Sequence, residues 1–139
     1  MPAKKSQGAG GALAVETLAS RIQLARGVRV MLDSDLAALY GVETRRLNEQ
    51  VRRNATKFPA DFMFQLTAHE FGALRSQFAT LKAGRGQHRK YLPYAFTEHG
   101  AIQAANVLAT SQAVEMGIHV VRALVQVRDL LASNKMRSA

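Results

Sequence analysis

The stretch Val30–Asn54, VMLDSDLAALYGVETRRLNEQVRRN, decides how the rest of the chain is read. Asp33 and Ser34 offer side-chain oxygens to the free backbone N–H groups of a starting helix, and Leu36, Ala37, Leu39 and Tyr40 follow as its apolar contacts. Gly41 ends that helix, because glycine enters the left-handed conformation of a helix C-terminus without steric cost. Glu43 and Thr44 then open a second helix, so the outline is that of a helix-turn-helix. In the second helix Leu47 and Val51 lie one turn apart and face a core, while Arg45, Asn48, Glu49 and Arg52 project from the opposite side, flanked by Arg46 and Arg53. Arginine and asparagine have the donors and acceptors that read guanine and adenine edges in a major groove, and arginine also grips phosphate. The plainer reading is a solvated face on which Glu49 pairs with Arg53, worth about 0.2–0.5 kcal/mol.

Upstream of this pair the apolar residues alternate: Ile22 and Leu24, then Arg26-Gly27, then Val28, Val30 and Leu32, as in a half-buried hairpin. Downstream, Pro59 biases the chain away from helix and Phe62, Phe64 and Leu66 alternate, which predicts a strand from Asp61 to Leu66. Thr67 and Glu70 form a capping box for a helix from Ala68 to about Ala79, with Phe71, Leu74 and Phe78 inward and Arg75 and Gln77 outward. Lys82 to Lys90 breaks every periodic pattern and reads as a flexible basic loop. Tyr91 to Phe96 resumes a strand that pairs with the one ending at Leu66, and Pro93 predicts an edge position or a bulge for it. Thr97 caps a helix carrying Ile102, Ala105 and Leu108; after a break near Thr110 a longer helix carries Val114, Ile118, Val121, Val125 and Leu131. That last helix also bears Val120, Leu124 and Val127, a stripe wide enough both to pack on its own domain and to meet another chain. The expected architecture is α+β: a helix-turn-helix-like pair, small antiparallel strands or hairpins, and C-terminal helices. Residues 1–12 are expected to form a disordered basic, glycine-rich tail, 13–132 a single domain, and 133–139 a polar tail.

Charge narrows the partner. Lysine and arginine number 19 against 10 acidic residues, a formal charge of +9 with a pI near 10.7, which favours a polyanion: nucleic acid first, an anionic membrane second. About half of the positive charge falls between Arg45 and Lys90, so the imbalance is regional. The loop is read as a wing that lays Arg85, His88, Arg89 and Lys90 along phosphates while the second helix occupies the major groove. No cysteine is present, which excludes disulfides, thiol nucleophiles and cysteine-ligated metals and fits a reducing compartment. No signal-peptide core or membrane span is visible, so the expectation is a cytoplasmic, nucleoid-associated protein that uses no membrane.

Catalysis finds little support. His69, His88, His99 and His119 have no metal-ligand spacing, no G-x-S-x-G serine accompanies them, and Gly84 and Gly86 lack a strand–glycine–helix fingerprint. Glu98 beside His99 is the one tight acid–imidazole pair, at a helix start where a carboxylate is favoured for structural reasons. The tyrosines and phenylalanines have core spacing rather than the pattern of a base-stacking platform.

Three segments in order, VMLDSDLAALYGVETRRLNEQVRRN, FPADFMFQLTAHEF and RKYLPYAFTEHGA, resemble the phage-type KilA-N superfamily in its open-reading-frame-six N-terminal-domain branch, over about Leu18 to Leu131. The resemblance implies a compact α+β domain of phage and prophage regulators that binds double-stranded DNA, with no enzymatic activity, no cofactor, no metal and no small-molecule substrate. The family's DNA-facing helix maps onto Glu43 to Asn54, which carries that role to Arg45, Arg46, Asn48, Arg52 and Arg53. Arg45, Asn48 and Arg52 are expected to face base edges, and Arg46, Arg53, Lys57, Arg85, Arg89 and Lys90 to neutralise phosphate. Such domains are commonly fused to an antirepressor module; after the last helix only SNKMRSA follows here, so the resemblance does not by itself carry antirepressor activity over to this chain. A homodimer through the C-terminal helix, if formed, would set two reading helices roughly 34 Å apart on a palindromic site. The competing reading is a protein-interaction module, antirepressor-like or an oligomerisation partner, that uses the apolar C-terminal helix.

Overall fold

A computed structural model describes residues 18–77 and 91–138, side chains of Gln77 and of 133–138 excepted. After a helical turn over 18–20, β1 (Ile22–Ala25) and β2 (Val28–Leu32) form a hairpin. Arg26 and Gly27 close it with φ of 53° and 78°. Two consecutive left-handed residues make the turn whose twist matches that of the strands, and glycine takes the second place without cost. The turn also sets the register: Ala25 pairs with Val28, so Leu24 stands opposite Arg29 and Ile22 opposite Met31. Direct partners in an antiparallel pair share a face. Ile22 and Leu24 therefore lie on one face and Val28, Val30 and Leu32 on the other; the two alternating apolar runs of the sequence do not add up to a single buried side.

The sheet is covered on both faces. Its order is β1-β2-β4-β3, with β3 at Met63–Gln65 and β4 at Tyr94–Phe96, every pair antiparallel. Met31, Phe96 and Met63 stand in one row across it. They pack on the main core of Leu36, Tyr40, Leu47, Val51, Ala101, Ala105 and Leu124. On the reverse face Val30 and Ala95 pack with Leu66 and with Leu74 of α3 (Ala68–Gln77). The expectation of an edge strand at Pro93 is corrected: β4 lies between β2 and β3, and Pro93 precedes the ladder, so its missing N–H removes no sheet bond while its carbonyl accepts from Leu66 N–H at 2.9 Å.

The predicted caps at Thr67 and Thr97 form, whereas the helix that begins at Asp33 has Leu32 at its N-cap and no side-chain cap, Asp33 being already its first residue. Glu70 Oε1 accepts from Thr67 N–H at 2.8 Å and Thr67 Oγ1 accepts from Glu70 N–H at 3.1 Å. The helix pair is α1 (Asp33–Tyr40) and α2 (Thr44–Arg53), and a 3-10 turn at Ala55–Lys57 follows. Thr97 caps α4 (Glu98–Leu108), where a side chain on Gly100 would overlap the Phe62 carbonyl. Ala109 leaves that helix at φ 57°, and Thr110 Oγ1 accepts from Ala113 N–H to start α5 (Ser111–Ser138), whose backbone continues through the stretch expected as a polar tail.

The inward face of α5 differs from expectation. Ala113, Gly117, Val120, Ala123 and Leu124 are buried, whereas Val114, Ile118 and Leu131 are 47%, 45% and 42% exposed. The cause is close packing on small residues: α4 presents Ala101, Ala104 and Ala105, and a Cβ on Gly117 would stand 2.8 Å from the Ala105 Cβ. No bulky side chain can enter the crossing where Gly117 meets Ala105. The expected tail 1–12 and inward Phe78 lie outside the described residues.

Candidate nucleic-acid interface

α1 follows β2 without a loop and stops at Gly41, φ 73°, where Val42 N–H returns to the Ala37 carbonyl at 3.0 Å. Two residues later α2 begins, anchored by Leu47 (fully buried) and Val51. A third anchor was not anticipated. The Asp33 carboxylate is buried at the start of α1; one oxygen accepts from Ser34 N–H at 2.8 Å, the other from Asn48 Nδ2 at 3.1 Å and from the β4 backbone N–H of Tyr94 at 3.3 Å. One carboxylate thus ties α1, α2 and the sheet together. Asn48, expected on the outward face, is half-buried and turned to this network, and its Oδ1 is buried with no hydrogen-bond partner.

The outward face of α2 is cationic. Arg45 and Arg52, two turns apart, form one row, and Arg46 and Arg53 form a second; all four are exposed, with Glu49 between the rows. Arg45 meets Glu43 at 3.6 Å with both side chains about 80% exposed, a contact of little energetic weight. The Glu49–Arg53 pair of the plainer reading does not form, and among the described residues Arg52 and Arg53 are in no ion pair. Arg52 and Arg53 close the C-terminal turn, where the helix dipole favours cations. Lys57 continues the exposed set on the 3-10 turn, whose backbone is held by Gln103 Nε2 donating to the Lys57 carbonyl at 3.3 Å. Five cations therefore issue from one rigid helix and the turn behind it.

The ORF6N domain model matches residues 20–107. The chain belongs to the ORF6N domain family. The match takes in the whole sheet, α1, α2, α3 and all but the last residue of α4, so the cationic helix lies within this ORF6N domain and α5 beyond it. No curated protein and no solved structure matches the chain.

The other sites considered in this ORF6N protein divide clearly. Arg85, His88, Arg89 and Lys90 lie outside the described residues. Arg26 is a structural cation that sequence reasoning treated only as a turn residue. Its Nε and Nη2 donate to the two Glu70 oxygens at 2.8 and 3.0 Å, Nη2 also donates to the Gln65 carbonyl, and the guanidinium lies 4.2 Å from the centre of the Phe64 ring. That contact, helped by the Thr67 N–H, draws the Glu70 carboxyl down from 4.5 to about 2. Nothing local signals a partner 44 residues away. Glu98 serves Arg128 at 2.6 Å, with His99 at 3.9 Å and stacked on Phe62, so the acid–imidazole pair has a structural setting. Tyr40 is buried, donates to the Ala101 carbonyl at 2.7 Å, and has its phenol pushed well above its ordinary pKa by burial.

Clefts among the described residues include one beneath the hairpin and one beside α2. The first, of about 740 Å³, is lined by Leu24, Val28, Arg29 and Leu131 and by the mutually paired Glu98 and Arg128. The second, of about 170 Å³, is lined by Asn48, Arg52, Phe58 and Tyr94. Among the described residues no three His, Asp or Glu side chains are grouped to hold a metal, and no helix is long and apolar enough to cross a membrane.

Proposed function

We propose that this ORF6N protein is a double-stranded DNA-binding regulator of the phage and prophage type, a branch of the KilA-N superfamily, acting by occupying DNA. The observation that carries the reading is the pair of arginine rows on the exposed side of α2, on a helix held from beneath by Leu47, Val51 and the Asp33–Asn48 bond. A pre-set helix of this kind loses little entropy on entering a groove, and its arginines supply both phosphate contacts and bidentate donors for guanine. Arg45 and Arg52 are assigned to base edges, and Arg46, Arg53 and Lys57 to phosphates. Asn48 takes a positioning role in place of the base contact expected for it. The mechanism is binding, with no bond made or broken.

Fluorescence anisotropy of a labelled duplex at several salt concentrations tests this. The three phosphate-neutralising cations, Arg46, Arg53 and Lys57, predict a log–log salt slope of about −3. The Arg45→Glu/Arg52→Glu variant should lose about a hundredfold or more in affinity while keeping its thermal midpoint. Absence of binding at low salt refutes the reading and favours an interaction module, to which the exposed apolar residues of α5 give specific support.

A further inference from the structure

Helix α5 has two apolar faces, and only one is used. Ala113, Gly117, Val120 and Leu124 point into the domain. Val114, Ile118, Val121 and Val125 form a separate row about a quarter-turn or more around the helix. Val114 and Ile118 are nearly half exposed, and Val121 and Val125 half-buried. Their spacing is four, three, four, the period of a two-helix seam, and the row runs about 16 Å along the axis. Four aligned branched side chains exceed the scattered apolar residues of an ordinary solvated helix.

The charges beside the row select the partner and its direction. On the flank away from the domain stand Glu115 and Arg122, both exposed and, among the described residues, in no ion pair. They are seven residues apart, so about 10 Å of helix rise keeps them from meeting each other. An antiparallel two-fold pairing of two α5 helices layers Val114 on Val125 of the second copy and Ile118 on Val121. It brings Glu115 beside Arg122 of the second copy, and Arg122 beside Glu115, by symmetry. Parallel pairing sets these same charges beside Thr110 and Gly117, which offer no counter-charge. The ends also match: the next layer joins Ser111 to Arg128, and Arg128 is drawn to Glu98 of its own chain, which stops the seam after Val125.

We propose that a second copy of this chain docks antiparallel on the Val114–Ile118–Val121–Val125 row of α5, locked by two reciprocal Glu115–Arg122 ion pairs. The inference is independent of the DNA reading and is tested without DNA. A seam of four layers is small for a stable interface, so association is expected at roughly micromolar to tens of micromolar concentration. Sedimentation equilibrium of the full chain from about 1 to 200 µM should show a monomer–dimer equilibrium. Glu115→Arg and Arg122→Glu should each weaken it about tenfold, and the double exchange should restore it to within about threefold.

Because the chain has no cysteine, Val114→Cys mixed with Val125→Cys should give an oxidised cross-linked pair in higher yield than either variant alone. Circular dichroism of each variant checks that it is folded. A monomer across the whole range, failure of the double exchange to restore association in a folded protein, or preferential self-cross-linking of Val114→Cys would each overturn the proposal.

Discussion

Helices α2 and α5 each keep one side in solvent, and the two sides are opposites. α2 offers two rows of arginine around a single glutamate, and α5 offers a row of valine and isoleucine. Both are held by their other side: α2 by Leu47 and Val51, α5 by Val120, Leu124 and the alanines of α4. The contrast separates what makes a helix fold from what makes it useful. Two or three buried positions per helix secure it, and the composition of the remaining face is then free to follow a partner's chemistry, a polyanion in one case and an apolar surface in the other.

On α5 the two apolar faces differ in what they contribute, one to the fold and one to the surface. Leu124→Ala, on the buried face, should lower unfolding free energy by about 2–5 kcal/mol, while Ile118→Ala, on the exposed face, should stay within about 1 kcal/mol; chemical denaturation measures both. Equal losses would mean that the exposed row also belongs to the fold. On α2 the sharper test is Asn48→Ala. Removing a donor to the buried Asp33 carboxylate should cost about 1–3 kcal/mol of stability yet leave the salt slope of any DNA binding unchanged, whereas Arg53→Ala should flatten that slope by about 1 and spare stability. An Asn48→Ala protein of native stability with altered base preference would return Asn48 to the reading face.

The smallest effect concerns the hairpin, which has no part in either exposed face. The Glu70 carboxyl is drawn to about 2, chiefly by Arg26. Since this lies below its ordinary value of 4.5, the Arg26–Glu70 contact stabilises the fold above about pH 4.5 and is lost as pH falls towards 2. The thermal midpoint of Glu70→Gln should therefore trail the native chain at pH 6 and converge with it near pH 2. A gap that is constant with pH would detach Glu70's ionisation from the fold.

What was legible in the sequence was chemistry that acts within a few residues. Thr67 with Glu70, Thr97 with Gly100, and the left-handed turn at Gly41 each join groups no more than five residues apart, and all are present. Leu47 and Val51 were legible because α2 has only those two strong apolar positions. What escaped was set by partners distant in sequence. Asn48 turns inward because Asp33, fifteen residues earlier, is buried beneath it together with the Tyr94 N–H. β4 enters the middle of the sheet because Pro93 stops just short of the ladder. On α5 Val114, Ile118 and Leu131 looked like the core, but the close contact of Gly117 with Ala105 turns the face of Ala113, Gly117, Val120 and Leu124 inward instead, so size misled where fit decided.

The place of α5 relative to the matched family segment has a practical side. The match ends at residue 107, yet Ala113, Val120, Ala123 and Leu124 from beyond it complete the core around Tyr40 and Leu36, and Gln112 Nε2 donates to the Leu39 carbonyl beside the Gly41 turn. The smallest portable unit is thus longer than the recognisable one. Anyone grafting the arginine helix onto another scaffold must carry α5 along as ballast, or the graft will arrive with one wall missing.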